Sequence, residues 1–198
     1  GNTFQYAGGP FLGQAQDIKV QPDVRGYVPI TKRVVFATRA SVGFLFPKNY
    51  GRVVRARPSE FDASSDRTRD YQLTFFRGFF SGGPTSNRGY PLRGVSPHDI
   101  VPFISPETEV QKLGTACTGD YDCRTPTGGF TLWEASAEFR ININGPLSAA
   151  TFCDASDVSP RTADIRLMHL HLSCGAGGRY DTPVGPIRLD IGYRIPGL

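Results

Sequence analysis

The sequence predicts an all-β protein built of antiparallel strands, and three observations carry that prediction. Apolar and polar residues alternate with a period of two in most regular stretches, while helical periodicity is poor. The composition favours strands and turns, with 14 Phe, 8 Tyr, 23 Gly and 16 Pro in 198 residues. Short turns also alternate with longer connections along the chain.

Residues 1–16 read as the frayed end of a strand followed by a Gly/Pro turn. A first strand is expected near 18–28, with Ile18, Val20 and Val24 on one face and Lys19, Gln21 and Asp23 on the other. Pro22 interrupts it, because proline cannot donate to a ladder. After a turn at Pro29–Lys32, a second strand near 33–46 sets Val34, Phe36, Val42 and Phe44 against Arg33, Arg39, Ser41 and Gly43. A long loop, 47–129, shows no sustained periodicity. Alternation resumes near 130–142, where Trp133, Ala135, Ala137, Phe139 and Ile141 oppose Glu134, Ser136, Glu138 and Arg140. A weaker strand near 147–155 carries Asp154. A strand near 165–180 opposes Leu170, Leu172 and Cys174 to His169, His171 and Ser173. The cleanest strand lies near 186–195, with Ile187, Leu189, Ile191 and Tyr193 against Arg188, Asp190, Gly192 and Arg194.

Roughly six strands of this kind fit two architectures. A soluble sandwich buries the apolar face in a core. A membrane barrel turns it to lipid and encloses the polar face. The polar face here mixes Arg, Asp, Glu, Ser, Gly and His, and the connections are short on one side and long on the other. That rhythm favours the barrel. No apolar run approaches the ~20 residues of a transmembrane helix. The chain has no starting Met and no signal peptide, so it reads as a mature chain or a piece of one.

The long loop holds the most unusual stretch, FFRGFFSGGPTSNRGYPLRGV at Phe75–Val95. It is aromatic, then glycine-rich, then basic, and its centre is Arg88–Gly89–Tyr90. Loops this long are uncommon in compact domains unless they are functional or disordered. Its aromatics are too apolar for disorder.

Several other chemistries find no support. The net charge of +4 is dispersed among acids, so no nucleic-acid stripe stands out. SGGPTS lacks the Gly-Lys-Ser/Thr ending of a phosphate loop. No nucleophile elbow is present, and no residue is nominated as catalytic. Cys117 and Cys123, in CTGDYDC, could close a small disulfide loop in an oxidising compartment. They lack a second pair or nearby histidines for zinc. His169-x-His171-x-x-Cys174 is a poor metal set, because alternation puts Cys174 on the face opposite both histidines. No metal and no cofactor are expected.

GGRYDTPVGPIRLDIGYRI (Gly177–Ile195) resembles the penultimate strand region of the BamA/TamA family of outer-membrane assembly barrels. SGGPTSNRGY (Ser81–Tyr90) is similar to that family's sixth extracellular loop, GGFTLWEASAEFRI and ATFCDAS to its next two strands, and YVPI (Tyr27–Ile30) to the turn before the strand that precedes the loop. The matches run in the family's order over most of the chain. ATFCDAS carries Ser156 where the family often has glycine.

The resemblance implies the C-terminal portion of an antiparallel transmembrane β-barrel of about sixteen strands. One long extracellular loop would fold inward. Residues 1–198 would supply about six strands, fewer than the roughly eight a barrel needs, and open edges cannot face lipid, so the chain is expected to be the C-terminal part of a larger protein. It also implies that Arg88, with Gly89 and Tyr90 beside it, meets the inner-wall acids Glu138 and Asp154. Gly82, Gly83 and Gly89 would let the loop turn tightly. Cys153 and Cys174 would face outward on neighbouring strands, more naturally as two small apolar groups against lipid than as a bonded pair. The implied function is non-enzymatic: folding and inserting β-barrel clients in the bacterial outer membrane. Its partners would be outer-membrane lipids, unfolded client barrels and accessory lipoproteins, with no nucleic acid. A related polypeptide-translocating pore is the alternative, and a soluble β-sandwich binding module a more distant one.

Overall fold

The structure is a computed structural model, and it describes residues 1–9, 13–55, 66–99 and 125–196. Its main body is a seven-stranded antiparallel sheet. The strands are β1 (Asn2–Ala7), β2 (Asp17–Pro29), β3 (Val34–Pro47), β6 (Thr131–Asn144), β7 (Leu147–Ser159), β8 (His171–Thr182) and β9 (Gly185–Arg194), paired in that order. The connection from β3 to β6 contains α1 (Arg52–Arg55), α2 (Asp66–Arg77) and the short pair β4 (His98–Asp99) and β5 (Thr125–Pro126). Sequential strands joined by short links pair as neighbours, so the sheet is a meander with one large excursion. Cys117 and Cys123 lie outside the described residues.

The sheet is inside out relative to a soluble domain. On the face away from the long loop, Leu189 is 72% exposed, Tyr193 71% and Phe139 44%. On the loop side, Ser41, Glu138, Asp154, Ser156 and Ser173 are buried. A soluble sandwich would bury the first set in a dry interior; this sheet presents it outward, as a strand wall facing lipid does. Trp133 on the same face is half-buried, and its Nε1 donates to the Arg166 carbonyl at 3.4 Å in the 160–170 loop. Cross-strand partners Phe36 and Phe139 stack on the same outer face with ring centroids 4.7 Å apart. Among the described residues, no helix is long and apolar enough to cross a membrane.

Four expectations are corrected. Residues 2–7 are a paired strand rather than a frayed end, with Asn2 to Ala7 opposite Pro22 to Asp17. The long loop is not free of regular structure, because α2 occupies Asp66–Arg77. Its buried stripe is Asp70, Tyr71 and Thr74, two of them polar, so an apolar period of 3.6 never shows. His169 is not on a strand. β7 runs on to Ser159 and β8 begins only at His171, because Arg166 folds the intervening loop back through two 2.9 Å bonds to Asp157. Cys153 and Cys174 are bonded to each other. They are direct partners in the β7–β8 register, which brings their sulfurs together.

Pro22 does interrupt pairing. The β2–β3 ladder has partners at Val20–Phe44 and again at Asp23–Ser41, with none between.

Candidate functional site

The loop leaves the rim of the sheet and descends along its inner face. Isolated bridges join Phe79 to Gly129 and Ser81 to Val95, holding the two limbs together. Gly82 and Gly83 then take φ of +102° and +99°, a region that side chains other than glycine rarely enter. They reverse the chain into a closed tip, in which the Gly83 amide donates to the Tyr90 carbonyl at 3.0 Å. Arg88 sits at the far end of that tip.

Arg88 is clasped by the wall. Its Nε and Nη2 donate to Asp154 Oδ2 and Oδ1 at 2.6 and 2.7 Å, and its own amide donates to the same carboxylate at 3.1 Å. Nη1 donates to Glu138 Oε2 at 2.8 Å and reaches Asp190 Oδ2 at 3.4 Å. The planar guanidinium lies over the Phe152 ring, 3.4 Å from its centroid. Ser136 braces Asp154 from behind at 2.6 Å. The side chains of Arg88, Glu138 and Asp154 are 6%, 7% and 3% exposed. Glu138 also accepts from Arg140 at 2.7 Å and from Arg179. Burial alone would lower the Arg88 pKa, but its hydrogen bonds to Asp154 and Glu138 raise it above the usual arginine value. The group is permanently charged.

Neighbouring contacts extend the clasp. Asn87 is buried and donates to Ser156 Oγ at 2.9 Å and to the His171 carbonyl at 2.7 Å, while accepting from Ser173 Oγ at 2.6 Å. The Gly89 amide donates to Ser173 Oγ at 3.1 Å. Ser81 donates to Glu134 at 2.8 Å, and Ser86 bonds the same carboxylate. Gly89 is needed for room rather than for its φ, since a Cβ there would run into the Ser173 side chain. The wall answers with Gly192, where a Cβ would meet the Arg88 carbonyl oxygen at 2.7 Å. Tyr90 packs edge-on to His171, with centroids 5.6 Å apart. Beside the tip a cavity of about 300 Å³ remains, lined by Arg25, Tyr27, Arg39, Arg140 and Arg188 among others.

A second anchor holds the loop at the rim. Arg77, in the last turn of α2, forks Asp17 at 2.6 and 3.0 Å, and Tyr50 Oη donates to the same carboxylate at 2.7 Å. Beside it lies the one apolar cluster among the described residues: Leu45, Tyr50, Phe79, Phe130, Leu132 and Val158.

The structure therefore brings together all five residues singled out in the loop and wall: Arg88, Gly89, Tyr90, Glu138 and Asp154. Sequence reasoning missed Asp190, Ser136, Asn87, Ser173 and Phe152 as participants. Asp190 and Ser136 were legible as inner-face positions from alternation. Phe152 shares the parity of Asp154, and a lone ring on a polar face was the signal for a platform beneath a cation.

A sheet that shows lipid its apolar side and encloses a loop pinned by buried charges defines a transmembrane β-barrel wall with an inserted plug. The chain belongs to the Omp85 superfamily, whose domain it matches over residues 2–196. Its fold is similar to the crystal structure of BamA from Haemophilus ducreyi lacking POTRA domains 1–3, with a TM-score of 0.59 at 16% sequence identity. That likeness covers 92% of this chain and 32% of the other, so this chain spans about a third of the length of that solved chain.

Proposed function

We propose that this chain is the loop-bearing part of a bacterial outer-membrane barrel that folds and inserts other β-barrel proteins. The observation that carries this reading is the Arg88 clasp. It uses two buried carboxylates, Glu138 and Asp154, with the half-buried Asp190 beside them, to fix one loop against the inner wall, and no packing need in a lipid-facing sheet requires that. A fixed plug keeps the lumen shaped while client strands form elsewhere on the barrel by edge pairing. Clients enter unfolded, and burial of their apolar faces in lipid drives the process. No covalent step is involved. Outer-membrane lipids, unfolded client barrels and accessory lipoproteins are the proposed partners. The Cys153–Cys174 disulfide suits the oxidising periplasmic side on which such barrels mature.

The test is reconstitution of the whole protein that carries this chain into liposomes. A urea-unfolded eight-stranded barrel is added, and its folding is followed by protease protection. The expected result is faster folding than in protein-free liposomes, largely lost in Arg88→Ala, although the variant barrel itself stays folded. Client folding at the lipid-only rate with the unaltered protein would overturn the assembly role. If the same liposomes passed a secreted polypeptide instead, the translocating pore would replace it.

A further inference from the structure

We propose that Asp157, His169 and His171 form a binding site for a divalent transition-metal cation at the rim of the sheet. This set differs from the His-x-His-x-x-Cys pattern in the sequence, because Cys174 is consumed by its bond to Cys153. The third ligand instead comes from β7.

The three residues reach one point from separate elements: Asp157 from the end of β7, His169 from the 160–170 loop and His171 from the start of β8. Their ligand atoms all lie within 4.8 Å of one another. His169 Nδ1 is 3.0 Å and His171 Nδ1 3.7 Å from Asp157 Oδ1. In a tetrahedral zinc site with bonds near 2.0–2.1 Å, neighbouring ligand atoms stand about 3.3 Å apart. The two measured separations bracket that value. His169 is 59% exposed at its side chain, so its ring is free to make the remaining adjustment.

A second observation points the same way. His171 Nδ1 is buried and has no hydrogen-bond partner. A buried imidazole nitrogen left unpaired is costly, and a cation between it and the carboxylate would satisfy both. The donor set of two imidazoles and one carboxylate suits zinc or another first-row divalent ion. An adjoining cleft of about 190 Å³, lined by Ser96, Pro97 and Pro160, leaves room for water at a fourth position.

Arg166 is the opposing feature. It forks Asp157 through Nε and Nη2, both at 2.9 Å. Its charge weakens cation binding, yet it also fixes the carboxylate as outer-shell partners of metal ligands do. The site would bind reversibly, as a clamp rather than a permanent structural centre. Since His171 also packs on Tyr90, a bound cation would tie the 160–170 loop, the wall and the plug tip together.

The test uses the whole protein that carries this chain, folded in detergent and dialysed against Zn²⁺, with bound metal counted by elemental analysis. One equivalent is expected. His169→Ala and His171→Ala should each weaken binding by more than the roughly 10–100-fold that an outer-shell partner is worth. His98→Ala, which removes the third of the 3 histidines, should leave it unchanged. Folding of every variant is checked by its heat-dependent gel mobility, and His169→Ala removes only an exposed ring. Bound Co²⁺ gives a second readout through its visible absorption, which should disappear in Asp157→Asn. No bound zinc, or zinc retained in both histidine variants, would overturn the proposal.

Discussion

The long loop is fastened at two places by opposite means. At the rim, an apolar cluster around Phe130 and Leu45 does most of the holding, with Asp17, Arg77 and Tyr50 as a polar supplement. At the tip, four residues from the wall, Ser136, Glu138, Asp154 and Asp190, converge on one guanidinium, and the ring beneath it is Phe152. The rim fastening resembles an ordinary core and tolerates change in proportion to the apolar area lost. The tip fastening is all-or-none, because each buried charge there exists only on account of the others. Stability at the rim and register at the tip are therefore separable tasks on one loop.

The largest effect is expected from Arg88→Ala. It strands Asp154 without its cation, while Glu138 keeps Arg140 and Arg179, at about 3–5 kcal/mol for a broken buried pair. Hydrogen exchange should rise sharply across 81–90 while α2 keeps its protection. Simultaneous opening of α2 would mean that the two fastenings are one unit, and the contrast would collapse. Removing charge and countercharge together sharpens it further. Arg88→Met with Asp154→Leu should cost less than Arg88→Met alone, because no uncompensated Asp154 remains.

Next comes the rim. Leu45 is fully buried, and Leu45→Ala should cost about 2–5 kcal/mol through lost transfer energy and the cavity left behind. Its signature is the reverse of the first: exchange rises in α2 and around Tyr50, and the tip stays protected. A thermal scan that showed equal loosening at Arg88 would count against independent fastenings.

How far each fastening was legible in the sequence follows from the same difference. Strand alternation exposed the wall acids directly, since Glu138 and Asp190 fall on a polar face that no surface demands. The Arg-Gly-Tyr tip stood out because charge, glycine and ring sit in consecutive positions. The rim was hidden. Its ion pair links Asp17 to Arg77 across 60 residues, and nothing local in either segment marks the other. α2 was masked because polar Asp70 and Thr74 occupy its buried stripe, with Asp70 accepting from the Arg52 amide at 2.7 Å. The Cys153–Cys174 bond depended on register, which alternation leaves undetermined by any even shift.

The smallest predicted effect separates the fastenings by pH. Burial, followed by the hydrogen bond to Asp17, pushes the Tyr50 phenol well above its ordinary value. An unfolded tyrosine loses its proton near about pH 10. Above that pH the folded form holds the proton more tightly than the unfolded one, so stability is complete below it and declines as pH rises further. A phenolate formed at Tyr50 would face the Asp17 carboxylate. Arg77, whose pKa is raised chiefly by its hydrogen bond to Asp17, offsets this repulsion only in part. The Arg88 guanidinium keeps its proton over the same range, and the Tyr90 phenol beside it, raised by burial but opposed by the charge of Arg194, faces a cation, so its ionisation lacks the carboxylate repulsion that Tyr50 meets. An alkaline-active protease should therefore begin to cut near α2 between pH 10 and 11, both approximate bounds, before it reaches 81–90. Tyr50→Phe costs only about 0.5–1.5 kcal/mol at neutral pH, yet it should abolish that alkaline onset. Cutting that persists unchanged in Tyr50→Phe would mean that the rim yields through its apolar cluster alone.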